Sequence, residues 1–367
     1  MSEPSEWLIY RGAGEPHGGI TQLPPPPPWR DFAGRGDTSP NGANGADGAG
    51  GTGGTGGTGD GRDGDGSADR RLGGYRHEAE LHRPGAEELE MINAALYLRR
   101  PLLVTGSPGA GKSTLAHSVA HELGLGRVLR WPIVSRSALQ DGLYHYDAIA
   151  RLQDVQLAAH SAGGPNGTDG TDRQDPSADI GSYIRLGPLG TALLPSEQPR
   201  VLLIDELDKS DIDLPNDLLN VLEEGEFGIP ELERIADRLP DGEAEVLTDD
   251  GKKVKIKGGR VQCRAFPFVV LTSNGERDFP APLMRRCIHL ELGRPDHQRL
   301  ATFVRAHLGD EAARAGDDLI IHFLERSRSE LISTDQLLNA IYLTDAAAPA
   351  GRDRLADLLI QRLDRPR

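Results

Sequence analysis

The sequence predicts an α/β fold: a mainly parallel β-sheet with helices on both faces, followed by a small all-α C-terminal domain. Three features predict it. Short apolar runs recur between residues 101 and 292, with helical stretches between them. The first of these runs ends in a glycine-rich turn that leads directly into a helix. Beyond Pro295 the strand pattern stops and the chain becomes rich in Ala, Leu and Arg.

The first segment, 1–32, carries Trp7, Leu8, Ile9 and Tyr10, then the prolines Pro24 to Pro28, then Trp29 and Phe32. Five prolines in a row form a stiff polyproline II rod of roughly 15 Å. Aromatic residues on both sides of such a rod read either as anchors for docking, on the chain's own core or on a partner, or as a sticky, disordered tail. Residues 33–70 are of another kind. Between Asn41 and Arg70, 13 of 30 residues are glycine. Such a stretch buries too little apolar area to offset its ordering entropy. It is expected to act as a flexible linker with roughly 35 Å of r.m.s. reach.

Residues 71–294 hold the α/β pattern. Pro101 to Thr105 reads as a buried strand and Ser113 to Leu123 as a helix. Val128–Val134, Val201–Ile204, Phe266–Thr272 and Ile288–Leu292 are the further strands, with a helix at Leu214–Glu224. Two insertions interrupt this core, at 135–190 and 228–265. The first contains a Gly/Asp/Thr-rich loop, 161–179. The second contains a hairpin, with strands at 244–248 and 253–257 around Asp249-Asp250-Gly251; Asp-Gly between alternating apolar residues is a strong hairpin signal. Lys252, Lys253, Lys255 and Lys257 on that hairpin either line a pore that grips an acidic ligand or protect an exposed edge strand. Residues 295–367 read as three or four helices forming a lid.

Composition narrows the function. The formal charge is −15 and the pI about 5.2, which disfavours a general nucleic-acid coat. Two cysteines, Cys263 and Cys287, exclude a disulfide scaffold and suit a reducing, cytoplasmic setting. The first residues lack the basic and apolar regions of a signal peptide. No apolar run approaches the length of a membrane span.

Residues 106–113 read Gly106, Ser107, Pro108, Gly109, Ala110, Gly111, Lys112, Ser113, with Thr114 next. This fits G-x-x-x-x-G-K-[ST] in full, between a strand and a helix. Glycines let backbone N–H groups approach a phosphate, and the helix N-terminus adds partial positive charge. Lys112 supplies a point charge for the β- and γ-phosphates, and the Ser113 hydroxyl is a Mg²⁺ ligand. Val201 to Ile204 is followed by Asp205 and Glu206. A buried strand delivers Asp205 to the sheet edge, where it can hold Mg²⁺, and Glu206 can act as base toward an attacking water. Thr272, Ser273 and Asn274 end another strand; Asn274 either orients that water or caps a turn before Gly275. Arg285 and Arg286 precede the last strand. They either serve a neighbouring subunit's γ-phosphate or lie solvated on the surface.

These motifs, in this order, resemble the AAA+ ATPases: Walker A at 106–113, Walker B at 201–206, sensor 1 at Asn274, an arginine finger at 285–286 and a helical lid. Within that superfamily the chain is similar to the MoxR-like branch. The residues that carry this are Leu143-Tyr-His-Tyr-Asp-Ala148, Gly187-Pro-Leu-Gly190, Ile204-Asp-Glu-Leu-Asp-Lys209 and Leu218-Leu-Asn-Val-Leu-Glu-Glu-Gly-Glu-Phe227. The hairpin before Asn274 matches that branch's pre-sensor insertion, and 135–190 would hold its helix-2 insertion. The resemblance implies ATP and Mg²⁺ as cofactors, with Lys112, Ser113 and Asp205 binding, Glu206 and Asn274 acting on water, and Arg286 rather than Arg285 as the finger. It also implies a ring, commonly a hexamer, and a protein client, with von Willebrand factor A domain proteins as frequent partners. One departure stands out: the lid helix that often carries a sensor 2 arginine reads Ser333-Thr-Asp-Gln-Leu-Leu-Asn339, without arginine.

Hydrolysis of ATP coupled to remodelling of a protein is the function expected. A nucleotide-gated scaffold with little turnover, recruiting partners through 1–32, is the alternative. Guanine recognition uses N-K-x-D, which the sequence lacks, and a kinase would not need Glu206 beside Asp205.

Overall fold

The computed structural model describes residues 7–32, 84–162, 180–327 and 333–346. The linker expected at 33–70, most of the loop at 161–179 and the final stretch from 347 lie outside them. In chain order the core begins with α1 (Ala86–Leu98), β1 (Leu102–Gly106), α2 (Lys112–Glu122) and β2 (Leu129–Pro132). The first insertion holds α3 (Leu139–Leu143), β3 (Tyr144–Tyr146), α4 (Ala148–Ala162), β4 (Ile184–Leu186) and α5 (Pro188–Ala192). Next come β5 (Val201–Asp205), α6 (Asp213–Glu224), β6 (Glu226–Gly228), α7 (Pro230–Glu233), β7 (Glu243–Leu247), β8 (Lys253–Lys257) and β9 (Arg260–Gln262). The core closes with β10 (Phe268–Ser273), α8 (Ala281–Arg286) and β11 (Ile288–Leu292). The lid is α9 (His297–Ala315), α10 (Asp317–Ser327) and α11 (Thr334–Ala346).

The central sheet runs β11-β1-β10-β5-β2, every pair parallel. Alternation along each strand divides its side chains between two layers. Leu102, Val104, Val201, Leu203 and Val270 face α1 and α2, packing with Ile92, Leu96, Leu115 and Val119. Leu103, Leu202, Ile204, Val269 and Leu271 face the other way, onto Leu214, Leu218 and Leu222 of α6. Each such fully buried side chain contributes about 1.5–3 kcal/mol. The strands point their C-terminal ends to one edge, and β1, β5 and β10 deliver the motif residues there. Lid helices α9–α11 pack around a core of their own, with Leu300, Ile320, Phe323 and Leu337.

The two insertions are not separate. They form one four-stranded sheet, β3-β4-β7-β8, in which β4 of the first pairs in parallel with β7 of the second. The hairpin expected at 244–257 is β7 and β8 in antiparallel register. Its turn is held by Thr248, whose hydroxyl donates to Asp250 Oδ1 (2.6 Å) and accepts from Lys252 N (2.9 Å). Lys253 pairs with Glu245 at 2.9 Å, Lys255 with Glu243 at 3.2 Å and Lys252 with Asp250 at 3.3 Å. With three of the four lysines matched by carboxylates on the same hairpin, and β8 at the edge of its sheet, the edge-strand reading is the one the geometry favours.

Residues 7–32 lie on the chain's own core as a strap. Asn93 on α1 holds it: Oδ1 accepts from Ile9 N (2.8 Å) and Tyr10 N (3.0 Å), and Nδ2 donates to Tyr10 O (2.8 Å). The carboxylate of Glu122, at the end of α2, accepts from Arg11 N (2.6 Å) and Gly14 N (3.1 Å). His17 Nδ1 accepts from Gly19 N (3.0 Å), so its hydrogen sits on Nε2 and points to Glu122 Oε1 at 3.1 Å. Tyr10 and Ile20 belong to the α1/α2 layer, whereas Phe32 belongs to the opposite layer, where it stacks on Phe266. The strap therefore passes round the edge where the strands begin. At the turn, Arg30 is buried; it donates to Arg99 O (2.8 and 3.0 Å) and Leu222 O (3.1 Å) and lies over the Phe266 ring. Gly225, which ends α6 with φ +68°, leaves room for Phe32; a Cβ there would sit 2.6 Å from its ring.

Candidate active site

At the C-terminal edge of the sheet, β1 runs into the 106–113 loop. Gly106 adopts φ +151°, and a Cβ on it would lie 2.7 Å from Leu292 O, so any side chain would prise β11 from β1. At Gly109, with φ +77°, a Cβ would strike Thr334 of the lid. Thr334 Oγ1 donates to Gly109 O at 2.9 Å, so α11 begins directly on the loop. Gly111 (φ +86°) precedes the eleven-residue helix α2, whose N-terminus faces the cradle.

Lys112 Nζ donates to Gly106 O (2.8 Å), Ser107 O (2.9 Å) and Asn274 Oδ1 (2.7 Å). Burial lowers the pKa of this ammonium, while Asp208, Asp205 and Glu206 pull it the other way. Ser113 Oγ donates to Asp205 Oδ1 (2.8 Å), and Thr272 Oγ1 donates to the same oxygen (2.7 Å). Thr272 Oγ1 also accepts from Glu206 N (2.8 Å), so one hydroxyl orients both acids. Glu206 is left-handed, with φ +62°, a backbone choice that costs about 1–3 kcal/mol; its Oε2 accepts from Lys209 Nζ at 2.7 Å. Burial alone would raise the Asp205 pKa, but bonds from Thr272, Arg130 and Ser113, with Arg130's charge, more than offset it and hold it below the usual carboxylate value.

Lys112, Ser113, Asp205, Glu206 and Asn274 thus meet in one cluster, with Ser107, Pro108, Gly109, Ala110 and Thr114 in the loop and first helical turn beside it. Arg285 and Arg286 do not join it. Among the described residues Arg286 Nε faces Glu223 Oε1 at 3.6 Å, and Arg285 gives its carbonyl to Arg100 Nη1 (3.1 Å). Glu223 also faces the strap's Arg30, at 3.5 Å.

Several members of the cluster escaped sequence reasoning. Asp208 is buried; its Oδ2 accepts from Asn274 N (2.8 Å) and Glu276 N (3.1 Å), fixing the loop that presents Asn274. Arg130, inside the apolar run of β2, reaches Asp205 Oδ2 at 2.6 Å. In the lid, Arg299 pairs with Glu88 at 3.1 Å, and a Cβ on Gly111 would lie 3.8 Å from its Nη2. Only Asp208 had a local signal, its place three residues after Asp205. The loop and its partners suit a polyphosphate: positive Lys112, a helix N-terminus, and a serine hydroxyl that spends its hydrogen on Asp205 and keeps its lone pairs outward. Ser113 and Asp205 together suit Mg²⁺, an oxygen-seeking cation held through one or two protein oxygens and waters. No protein-family model and no curated protein matches the chain.

Proposed function

We propose that this chain is a Mg²⁺-dependent ATPase of the AAA+ type, MoxR-like in branch. It works in the cytoplasm as a ring oligomer, expected to be a hexamer, that remodels or matures a protein partner. A protein with a von Willebrand factor A domain is the kind of partner the resemblance implies. The supporting observation is that Ser113 meets Asp205 at 2.8 Å and Lys112 meets Asn274 at 2.7 Å. Motifs separated by up to 162 residues converge on the phosphate loop.

In this reading Lys112 leaves the carbonyls of Gly106 and Ser107 for the β- and γ-phosphate oxygens. Ser113 and Asp205 would hold Mg²⁺, and the bound ion would supply charge neutralisation at the phosphates. Glu206 takes the proton of the attacking water, and the Asn274 amide orients that water. Arg286 completes the site of a neighbouring copy, a contribution of about 10³–10⁵ in rate for such an arginine. Lys112→Ala is expected to abolish ATP binding. Glu206→Gln is expected to bind ATP and hold it; hydrolysis at the wild-type rate would remove Glu206 as the base. Light scattering with nucleotide tests the ring, and a fully active monomer rules out a trans arginine.

A second reading, a nucleotide-gated scaffold with little turnover, is favoured by one feature. Helix α11 presents the Thr334 hydroxyl, not a cation, to the loop. Steady-state phosphate release separates the two.

A further inference from the structure

Strand β2 is the edge strand of the central sheet, and its register sets Pro132 opposite Asp205. The chain beyond it is tied to the same residue, Ile133 N donating to Asp205 O at 2.9 Å. Leu129 and Trp131 point into the α6 layer, so Arg130 points to the other face, where α2 carries Ser113. From there its Nη2 reaches Asp205 Oδ2 at 2.6 Å. The two oxygens of Asp205 are therefore divided. Oδ1 is committed to Ser113 and Thr272, both of which orient the carboxylate. Oδ2 is the oxygen with which the carboxylate can face a metal ion or a metal-bound water, and it is the one Arg130 holds. The Arg130 side chain is 36% exposed and that of Asp205 9%, so the guanidinium has solvent to withdraw into, whereas the carboxylate does not.

Resting on the ATPase reading, we propose that Arg130 competes with Mg²⁺ for Asp205 Oδ2. It acts as a resident cation that keeps the buried carboxylate paired and must swing outward before the carboxylate can serve a metal. Arg130 thereby sets how much Mg²⁺ the site requires. It is a positioning residue acting through Asp205, not a group that touches the reacting atoms.

The test uses the full chain and Arg130→Gln, with ADP binding followed by calorimetry as Mg²⁺ is titrated. The Mg²⁺ concentration giving half-maximal enhancement of ADP binding is expected to fall by about threefold or more in the variant, the scale of one partly exposed ion pair. Mg²⁺ without nucleotide is expected to raise the melting temperature of Arg130→Gln more than that of the wild type. An unchanged or higher midpoint overturns the proposal, as does weaker ADP binding in the absence of Mg²⁺, which would make Arg130 a phosphate ligand. Should Arg130→Gln fail to fold, Arg130→Lys, which shortens the reach to Asp205, must still lower the midpoint. A wild-type chain that binds no ADP at any Mg²⁺ concentration sinks the ATPase reading instead. The melting comparison then still decides whether Arg130 and the metal compete.

Discussion

The two edges of the central sheet are built in opposite ways. Where the strands end, polar side chains share partners: Lys112 Nζ is bound to three acceptors, and Asp205 Oδ1 takes two donors. A shared, partly exposed network can rearrange when a stronger ligand arrives. Where the strands begin, two buried polar side chains are the strap's central anchors. Asn93 makes four hydrogen bonds, two accepted and two donated, and Glu122 is likewise buried. A saturated buried network fixes one arrangement. The difference assigns separate tasks. If the proposed function is right, residues at the first edge govern ligands and those at the second govern stability, and substitutions should divide accordingly.

The largest expected effect is at the first edge. Glu206→Gln should lower ATP hydrolysis by about 10²–10⁴-fold, the usual contribution of a general base, while ATP binding and the melting temperature stay near wild type. A melting temperature that drops with activity would show that the acids at this edge also hold the fold. Next comes Asn93→Ala, at the second edge. It leaves the N–H groups of Ile9 and Tyr10 and the carbonyl of Tyr10 without their Asn93 partner. Urea denaturation should show a loss of about 3 kcal/mol or more, since each orphaned buried group costs about 1–3 kcal/mol. A loss under about 1 kcal/mol would mean that the strap contributes little.

The same contrast explains what the sequence could show. Strands β1, β5, β10 and β11 were legible because buried parallel strands are continuous apolar runs, and the loop at 106–113 because its partners are consecutive. Asp205 and Asn274 could be joined to it because parallel strands end side by side. Arg130 was hidden by its setting, one charge in a run otherwise read only for its apolar content. Strands β3 and β4, three residues each, are too short for a period to show, so the union of the two insertions was invisible. The strap's aromatics left docking open against a disordered tail, and nothing pointed to the receptor. Asn93 and Glu122 look like ordinary polar helix positions, and their contacts span 83 to 111 residues. Nothing local links such positions. The direction of Arg286, toward Glu223, was equally beyond a reading of spacing.

Alkaline pH sharpens the comparison further. Cys263 and Cys287 are both buried and lie just before β10 and β11, at the strap's edge. Burial pushes each thiol from 9.0 up to about 12. The folded chain therefore keeps these protons while the unfolded chain releases them. Stability from this source is intact below pH 9 and declines as pH rises toward 12. At pH 10 the decline is about 1.4 kcal/mol per thiol. Cys287→Ala should accordingly lose about 1 kcal/mol less than wild type between pH 8 and pH 10. Equal slopes would mean that the thiol is open to solvent and that this edge is less closed than it looks.

The smallest expected effect bears hardest on the division itself, because Tyr10 ties the strap to the helix that leads out of the phosphate loop. Its hydroxyl lies 2.8 Å from Ser118 Oγ, on the helix that also carries Lys112 and Ser113. Tyr10→Phe removes that bond and should lower unfolding stability by about 1 kcal/mol. In a double-mutant cycle with Ser118→Ala, the two losses should couple by about 0.5–1 kcal/mol, as expected for partners in one hydrogen bond. Nucleotide affinity should not follow, because Ser118 sits more than one helical turn from Ser113 and the network around Asp205 has no member on the strap. If Tyr10→Phe weakens ADP binding by the same factor as it weakens the fold, α2 transmits strain from one edge to the other. The strap would then be part of the proposed nucleotide site, not only its support.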